Sequence, residues 1–300
     1  MMKHILITGG SGLVGKSITR LLEKKGYLVA WLSRNPVRNE QKSFAWDVEK
    51  GTIDMDAITW ADAIIHLAGE GVADKRWTAS RKKSILESRT QSTLLLEQSI
   101  QLSEKKPQVF VSASAVGYYG FNTGDQLVHE NSPSGKDFLA EVVVAWENSI
   151  KKIQHLGLRT VMLRIGIVLD KKGGALKEMM KPPVAAPLGS GKQWMSWISV
   201  EDLARMFLFA LENQKVSGIY NAVGPQPATN ESLTKTAAKY AKKPYLGIGV
   251  PGFGLKLALG EMAQMVLGGN KVSSKKIQEA GFQFEDANLD EALKKIYQKP

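Results

Sequence analysis

Apolar and polar positions follow two alternating rhythms over the first half of the chain. Short apolar runs at residues 5–8, 27–33, 44–46, 63–67, 108–112 and 160–169 read as strands. Between them, residues 13–25, 78–100 and 137–155 repeat apolar side chains every three or four positions and read as helices. The first helix carries Val14, Ile18, Leu21 and Leu22 on one stripe, and the last carries Phe138, Val142, Ala145, Ser149 and Ile153. Gly26 stands where a glycine ends a helix, and Thr78 where a hydroxyl caps one. Apolar runs alternating with helix-period segments predict a doubly wound, Rossmann-type α/β fold with a parallel sheet.

The rhythm changes after Asp170. Glycine and proline cluster between residues 173 and 191, a helix is expected at 201–212 and a strand at 219–222, and residues 229–300 read as mostly helical. The expectation is a dinucleotide-binding domain over residues 1–170, its sheet rejoined by about 196–224. Residues 171–195 and 225–300 would then form a smaller substrate lobe.

The chemistry starts at the first strand–helix junction. Thr8-Gly9-Gly10-Ser11-Gly12-Leu13-Val14-Gly15 satisfies both Gly10-x-Gly12-x-x-Gly15 and Gly9-x-x-Gly12-x-x-Gly15. Gly9 allows a tight turn, Gly12 lets backbone approach a pyrophosphate, and Gly15 lets helix pack on strand. The first amides of the helix, around Leu13 and Val14, then face phosphate with the positive end of the helix dipole. The second strand ends in Leu32-Ser33-Arg34, with no acid to bind a ribose 2′-hydroxyl. Arg34 can pair with a 2′-phosphate and Ser33 can hydrogen-bond it, so NADP is expected over NAD; a solvent-exposed loop arginine is the alternative. Asp47 suits either an adenine contact or a turn.

Bulk composition narrows the classes. Apolar residues are 43% and charged residues 23%, values of a globular chain with a sizeable core. The net charge of +11 is spread over scattered lysines, which favours a solvated basic surface or attraction of nucleotide phosphates over nucleic-acid binding. There is no cysteine, which removes disulfides and thiol chemistry, and the four histidines show no metal spacing. The N-terminus has no secretory pattern, and residues 250–267 are too short and too charged to span a bilayer, so a cytoplasmic protein without membrane contact is expected.

Several motifs resemble the extended short-chain dehydrogenase/reductase superfamily: the glycine loop, Ile65-His66-Leu67-Ala68-Gly69, Ser112-Ala113-Ser114, Leu163-Arg164, Trp197 to Ala204 and Tyr220 to Gly224. A narrower likeness is to an atypical NAD-dependent epimerase/dehydratase-like family sometimes labelled a cell-division inhibitor. It rests on Arg76-Trp77-Thr78, Ser114 to Gly120, Trp146-Glu147, Leu259 to Ala263 and Glu279 to Phe282. The resemblance implies cofactor contacts from Leu67, Ala68 and Gly69, and a catalytic Ser114. It also implies a tyrosine and a lysine four residues later on the helix after the fifth strand. Here those positions read Leu139 and Val143, which cannot transfer a proton.

Tyr118, with Tyr119 beside it, is the nearest substitute. Glu70 and Glu130 are further acid–base candidates, Arg89 a substrate or phosphate ligand, and Trp77, Trp194 and Trp197 pocket walls. Residues 181–192 suit a lid or a passive linker. The expected function is an NADP-dependent oxidoreductase or epimerase acting on a small carbonyl or sugar-like substrate. The alternative is a non-catalytic NADP-binding sensor or regulator. Substrate and oligomeric state are not legible.

Overall fold

A computed structural model describes residues 2–36 and 41–298. Eight strands form the main sheet: β1 (His4–Thr8), β2 (Leu28–Ser33), β3 (Ser43–Asp47), β4 (Thr52–Ile53), β5 (Ala63–His66), β6 (Val109–Ala115), β8 (Arg159–Ile165) and β12 (Gly218–Ala222). Their order is β12-β8-β6-β5-β1-β2-β3-β4, parallel throughout except for β4, which runs antiparallel to β3. The chain winds outward from β1 in both directions, so the switch point lies between β1 and β5, where Thr8 pairs with His66.

The helices are α1 (Leu13–Lys24), α2 (Met55–Trp60), α3 (Ala79–Leu102), α4 (Phe138–Gln154), α5 (Gly174–Met179), α6 (Val200–Glu212), α7 (Asn230–Ala241), α8 (Gly252–Leu259), α9 (Ala263–Leu267), α10 (Lys275–Glu279) and α11 (Leu289–Gln298). α1 packs beside α6, and α3 beside α4. Helix α1 ends as its sequence predicts. Gly26 sits at φ +85°, its amide donating to Glu23 and the Tyr27 amide to Leu22, which closes the last carbonyls in a Schellman turn. Thr78 and Asp137 cap α3 and α4, accepting from the Arg81 amide and from those of Leu139 and Ala140.

Two differences from the sequence reading have physical causes. The run expected as one strand at 160–169 is broken at Gly166 into β8 and β9 (Ile167–Leu169). A Cβ at Gly166 would stand 2.1 Å from the Ser196 carbonyl, so glycine admits that close approach, and the chain leaves the main sheet to pair with β11 (Trp197–Ser199). The buried face of α4 is wider than the expected stripe. It keeps Val142 and Ile153 and adds Ala140, Val143, Trp146, Glu147 and Ile150, the charged Glu147 being buried opposite Arg164.

Outside the main sheet, β10 (Trp194–Met195) pairs with β13 (Ala228–Thr229), and β14 (Lys271–Val272) with β7 (Leu127–Val128). A second core of Leu169, Leu176, Trp197, Leu233, Ala237 and Leu293 lies under α5, α7 and α11. The 181–192 segment is fastened by bridges between Ala185 and Tyr245 and between Leu188 and Val250, and by Lys243 donating to Pro182. Among the described residues no helix is long and apolar enough to cross a membrane.

Candidate functional site

The turn from β1 into α1 is built of bare backbone. Gly9 takes φ +69°, and a Cβ there would stand 3.0 Å from the Leu67 carbonyl carbon. A Cβ on Gly15 would stand 2.5 Å from the Gly9 oxygen and 2.6 Å from the Gly10 Cα, so α1 can approach the turn only as glycine. Gly12 differs: a Cβ would meet one atom, the Gly9 oxygen at 3.3 Å, and otherwise open space. Gly12 is also the N-cap, with no side chain capping the helix. The leading amides of α1 are therefore free of side-chain competition and carry the positive end of the helix dipole.

Facing this turn, the end of β5 is held by a hydrogen-bond chain whose direction can be read. The Leu67 and Ala68 amides each donate to the Thr8 hydroxyl at 3.0 Å. That hydroxyl therefore gives its own proton to Nδ1 of His66, 2.8 Å away. His66 then carries its proton on Nε2 and donates to the Thr93 hydroxyl at 3.2 Å, which donates to the Arg89 carbonyl at 2.7 Å. Burial, with the nearby Arg89 guanidinium adding to it, pushes the His66 pKa down to about 3, so the ring is neutral; the Ser92 hydroxyl lies 3.4 Å from the same Nε2.

Arg89 belongs to the same support. It donates to the Ile85 and Glu70 carbonyls and lies against Gly69, where a Cβ would be 3.2 Å from its side chain. Burial pulls its pKa down to about 10, partly offset by Glu70. It ties the backbone just after Gly69 to α3 through Nη1 and Nη2. Glu70 itself pairs with Arg81.

At the end of β2, Ser33 accepts from the Asn35 amide at 3.1 Å and Arg34 is exposed, next in the sheet to the glycine turn. Residues 37–40 lie outside the described residues. Asp47 is a turn residue: its carboxylate accepts from the Glu49 and Lys50 amides and pairs with Lys50.

The end of β6 is of another kind. Ser114 is buried and donates to Glu147 at 2.6 Å. Glu147 receives two further bonds from Arg164, from Nε and Nη2, each 2.8 Å. Arg164 also donates to the Tyr119 hydroxyl, which donates to Asn221, whose amide group donates to the Ser273 carbonyl. Burial alone would lower the Arg164 pKa, but the paired carboxylate outweighs it and the net shift is upward. Burial raises the Tyr119 pKa against the opposing pull of Arg164. Tyr118 lies flat over Arg164, ring centroid 3.4 Å from the guanidinium carbon, and among the described residues no hydrogen bond engages its hydroxyl.

The other expected side chains are engaged in packing or pairing. Leu139 and Val143 face Gly117 beneath the 116–119 turn, where a Cβ on that glycine would be 3.5 Å and 3.8 Å from them. Trp77 packs with Phe121 and Phe138 and donates to the Val72 carbonyl. Trp197 is core, Trp194 donates to Asp125, and Glu130 accepts from the Asn221 amide. Sequence reasoning missed the Thr8–His66–Thr93 relay and the Glu147–Arg164 pair. A lone arginine inside an apolar strand was the available signal for the second.

Comparison with known proteins meets this geometry. The NAD dependent epimerase/dehydratase family matches residues 5–147 and 174–223, which contain the ends of β1, β2, β5 and β6. The chain belongs to that family. A domain of unknown function, DUF1731, matches residues 250–296. Among relatives of the epimerase family, the Epimerase family protein ML0860 of Mycobacterium leprae is 36% identical over 99% of this chain and 96% of its own length. The Epimerase family protein YfhF of Bacillus subtilis is 35% identical over 98% of this chain and 97% of its own. The crystal structure of human epimerase family protein SDR39U1 (isoform 2), solved with NADPH, superposes with a TM-score of 0.88 at 30% identity, covering 99% of this chain and all of that one.

Proposed function

We propose that this member of the epimerase/dehydratase family binds NADP at the β1–α1 turn. We further propose that it acts as an oxidoreductase or epimerase on a small carbonyl or sugar-like substrate. The carrying observation is the uncapped N-terminus of α1 behind a turn that only glycine can form, with Arg34 and no acid at the end of β2. The NADPH in the human relative supports the same reading.

Bound there, the nicotinamide supplies hydride transfer. The chain's own residues divide the remaining work. Gly9, Gly12, Leu13, Val14 and Gly15 receive the pyrophosphate on backbone amides, while Leu67, Ala68 and Gly69 form the opposing wall. Ser33 and Arg34 hold the 2′-phosphate. Tyr118, whose hydroxyl has no hydrogen bond among the described residues, exchanges the proton with the substrate oxygen. Ser114 gives its proton to Glu147, so its oxygen is left as an acceptor for a substrate hydroxyl.

A non-catalytic NADP-binding regulator is the competing reading, favoured by Leu139 and Val143 packing where the superfamily places its tyrosine and lysine. Calorimetry with NADPH and NADH, followed by absorbance assays over carbonyl compounds and nucleotide sugars, decides between them. Turnover lost in Tyr118→Phe supports catalysis, and tight NADPH binding without turnover across the panel supports the regulator. In Arg34→Glu, NADPH affinity is expected to fall about thirtyfold, from loss of a charge-assisted pair, with NADH binding little changed. Equal loss for both nucleotides defeats the 2′-phosphate assignment.

A further inference from the structure

Helix α8 is apolar, yet none of its eight residues is buried. Phe253 is 79% exposed and Leu257, one turn on, 81%; Ile248 and Leu246, just before the helix, are 71% and 49% exposed. The bridges from Ala185 to Tyr245 and from Leu188 to Val250 bring the segment carrying exposed Val184 to the same corner. Five of the nine exposed large apolar side chains among the described residues thus gather on one corner, whereas on most monomers such residues are scattered.

The helix is also fixed in place. Arg76 donates to the Leu257 carbonyl, and Lys82 pairs with Glu261 just beyond the helix end. Its outward face is therefore anchored from behind rather than left as a loose segment.

Charge selects what covers it. Between Glu231 and Glu261 the chain carries five lysines and no acidic residue; Lys239 pairs with Asp290 and Lys243 donates to the Pro182 carbonyl, and Lys235, Lys242 and Lys256 are exposed. Lys256 lies between Phe253 and Leu257 in sequence, and it and Lys242 are exposed. In a two-fold contact between copies, a central Lys256 would face its own counterpart, so like charges oppose self-association. An anionic lipid surface meets both features, taking the apolar side chains below the headgroups and the ammonium groups at their level.

We propose that α8, with Leu246, Ile248 and Val184, is a peripheral membrane-docking surface for anionic phospholipid, resting on the surface without crossing it. The test is flotation of the full-length protein with phosphatidylcholine vesicles, alone or with about 40% phosphatidylglycerol. Wild type is expected to float with the anionic vesicles and much less with the neutral ones. F253D/L257D, altered only at exposed positions, should keep its Tm and NADPH affinity but lose at least about tenfold in partitioning. Lys256→Glu should show a smaller loss, and wild-type binding should weaken in about 0.5 M salt. Phe253→Trp should shift its fluorescence to the blue on anionic vesicles.

Three results overturn the proposal. Wild type fails to float. F253D/L257D floats as well as wild type, which assigns binding to the general basic surface. Or wild type sediments as a dimer and F253D/L257D as a monomer, which shows a second copy covering the helix.

Discussion

Two neighbouring parts of one sheet edge are stabilised in opposite ways. At the β1–α1 turn the working groups are backbone amides, exposed by glycines that keep side chains away. At the end of β6 the polar groups are side chains, buried and paired with one another from Ser114 through Glu147, Arg164 and Tyr119 to Asn221. The first leaves donors open for a ligand. The second leaves almost none, because a buried charge without a partner is costly. Where ligand binding dominates, the chain withholds side chains; where a fixed frame is needed, it saturates them.

The sharpest way to break this contrast is Glu147→Ala. It strands the Arg164 guanidinium in the core and is expected to cost about 3–5 kcal/mol in guanidinium unfolding at neutral pH. Replacing both partners, Glu147→Met with Arg164→Met, should recover most of that loss, since no unpaired charge remains. A cost below about 1 kcal/mol for the single change would show that water reaches the pair.

On the glycine side the effect should be smaller in stability and larger in binding. A methyl at Gly15 collides with the Gly9 and Gly10 backbone, so Gly15→Ala is expected to cost about 1–3 kcal/mol and to lower NADPH affinity at least about tenfold. Gly26→Ala is its control. It meets no atom within 4 Å but keeps φ +85°, so it should cost about 1 kcal/mol and leave affinity intact. Equal effects on affinity would remove the turn's special role.

His66, hydrogen-bonded to Thr8 behind the glycine turn, makes stability depend on pH. The unfolded chain takes up a proton near its ordinary pKa of about 6.5, whereas the folded ring resists protonation down to about 3. In that window the unfolded state binds more protons, so stability is full above about 6.5 and falls as pH drops. Between pH 6.5 and 5 the loss should approach about 2 kcal/mol, read as a falling urea midpoint. His66→Gln should flatten that slope, and an unchanged slope would exonerate the histidine.

The smallest effect is expected for Ser114→Ala. Glu147 keeps both bonds from Arg164, so unfolding should shift by only about 1 kcal/mol. A drop in turnover beyond that stability change would mark the hydroxyl as a substrate contact.

Legibility in the sequence followed the range of each interaction. The β1–α1 turn was visible because glycine spacing, an apolar strand and an amphipathic helix lie within about two dozen residues, and the Schellman end at Gly26 is equally local. The α4 stripe was only partly legible: Val142 and Ile153 follow the helical period, whereas the burial of Glu147 depends on Arg164 of β8. Gly166 passed as a strand residue because the Ser196 backbone that requires it lies thirty positions away.

The sequence by itself determined the parallel doubly wound class and the glycine turn between β1 and α1, since both depend on period, glycine placement and backbone geometry close along the chain. Only the tertiary structure decided that Ser114 is tied to a buried carboxylate, that His66 is a neutral link between Thr8 and Thr93, and that an apolar helix was left facing outward. Those outcomes depend on which distant groups share a low-dielectric space, and no local pattern encodes that.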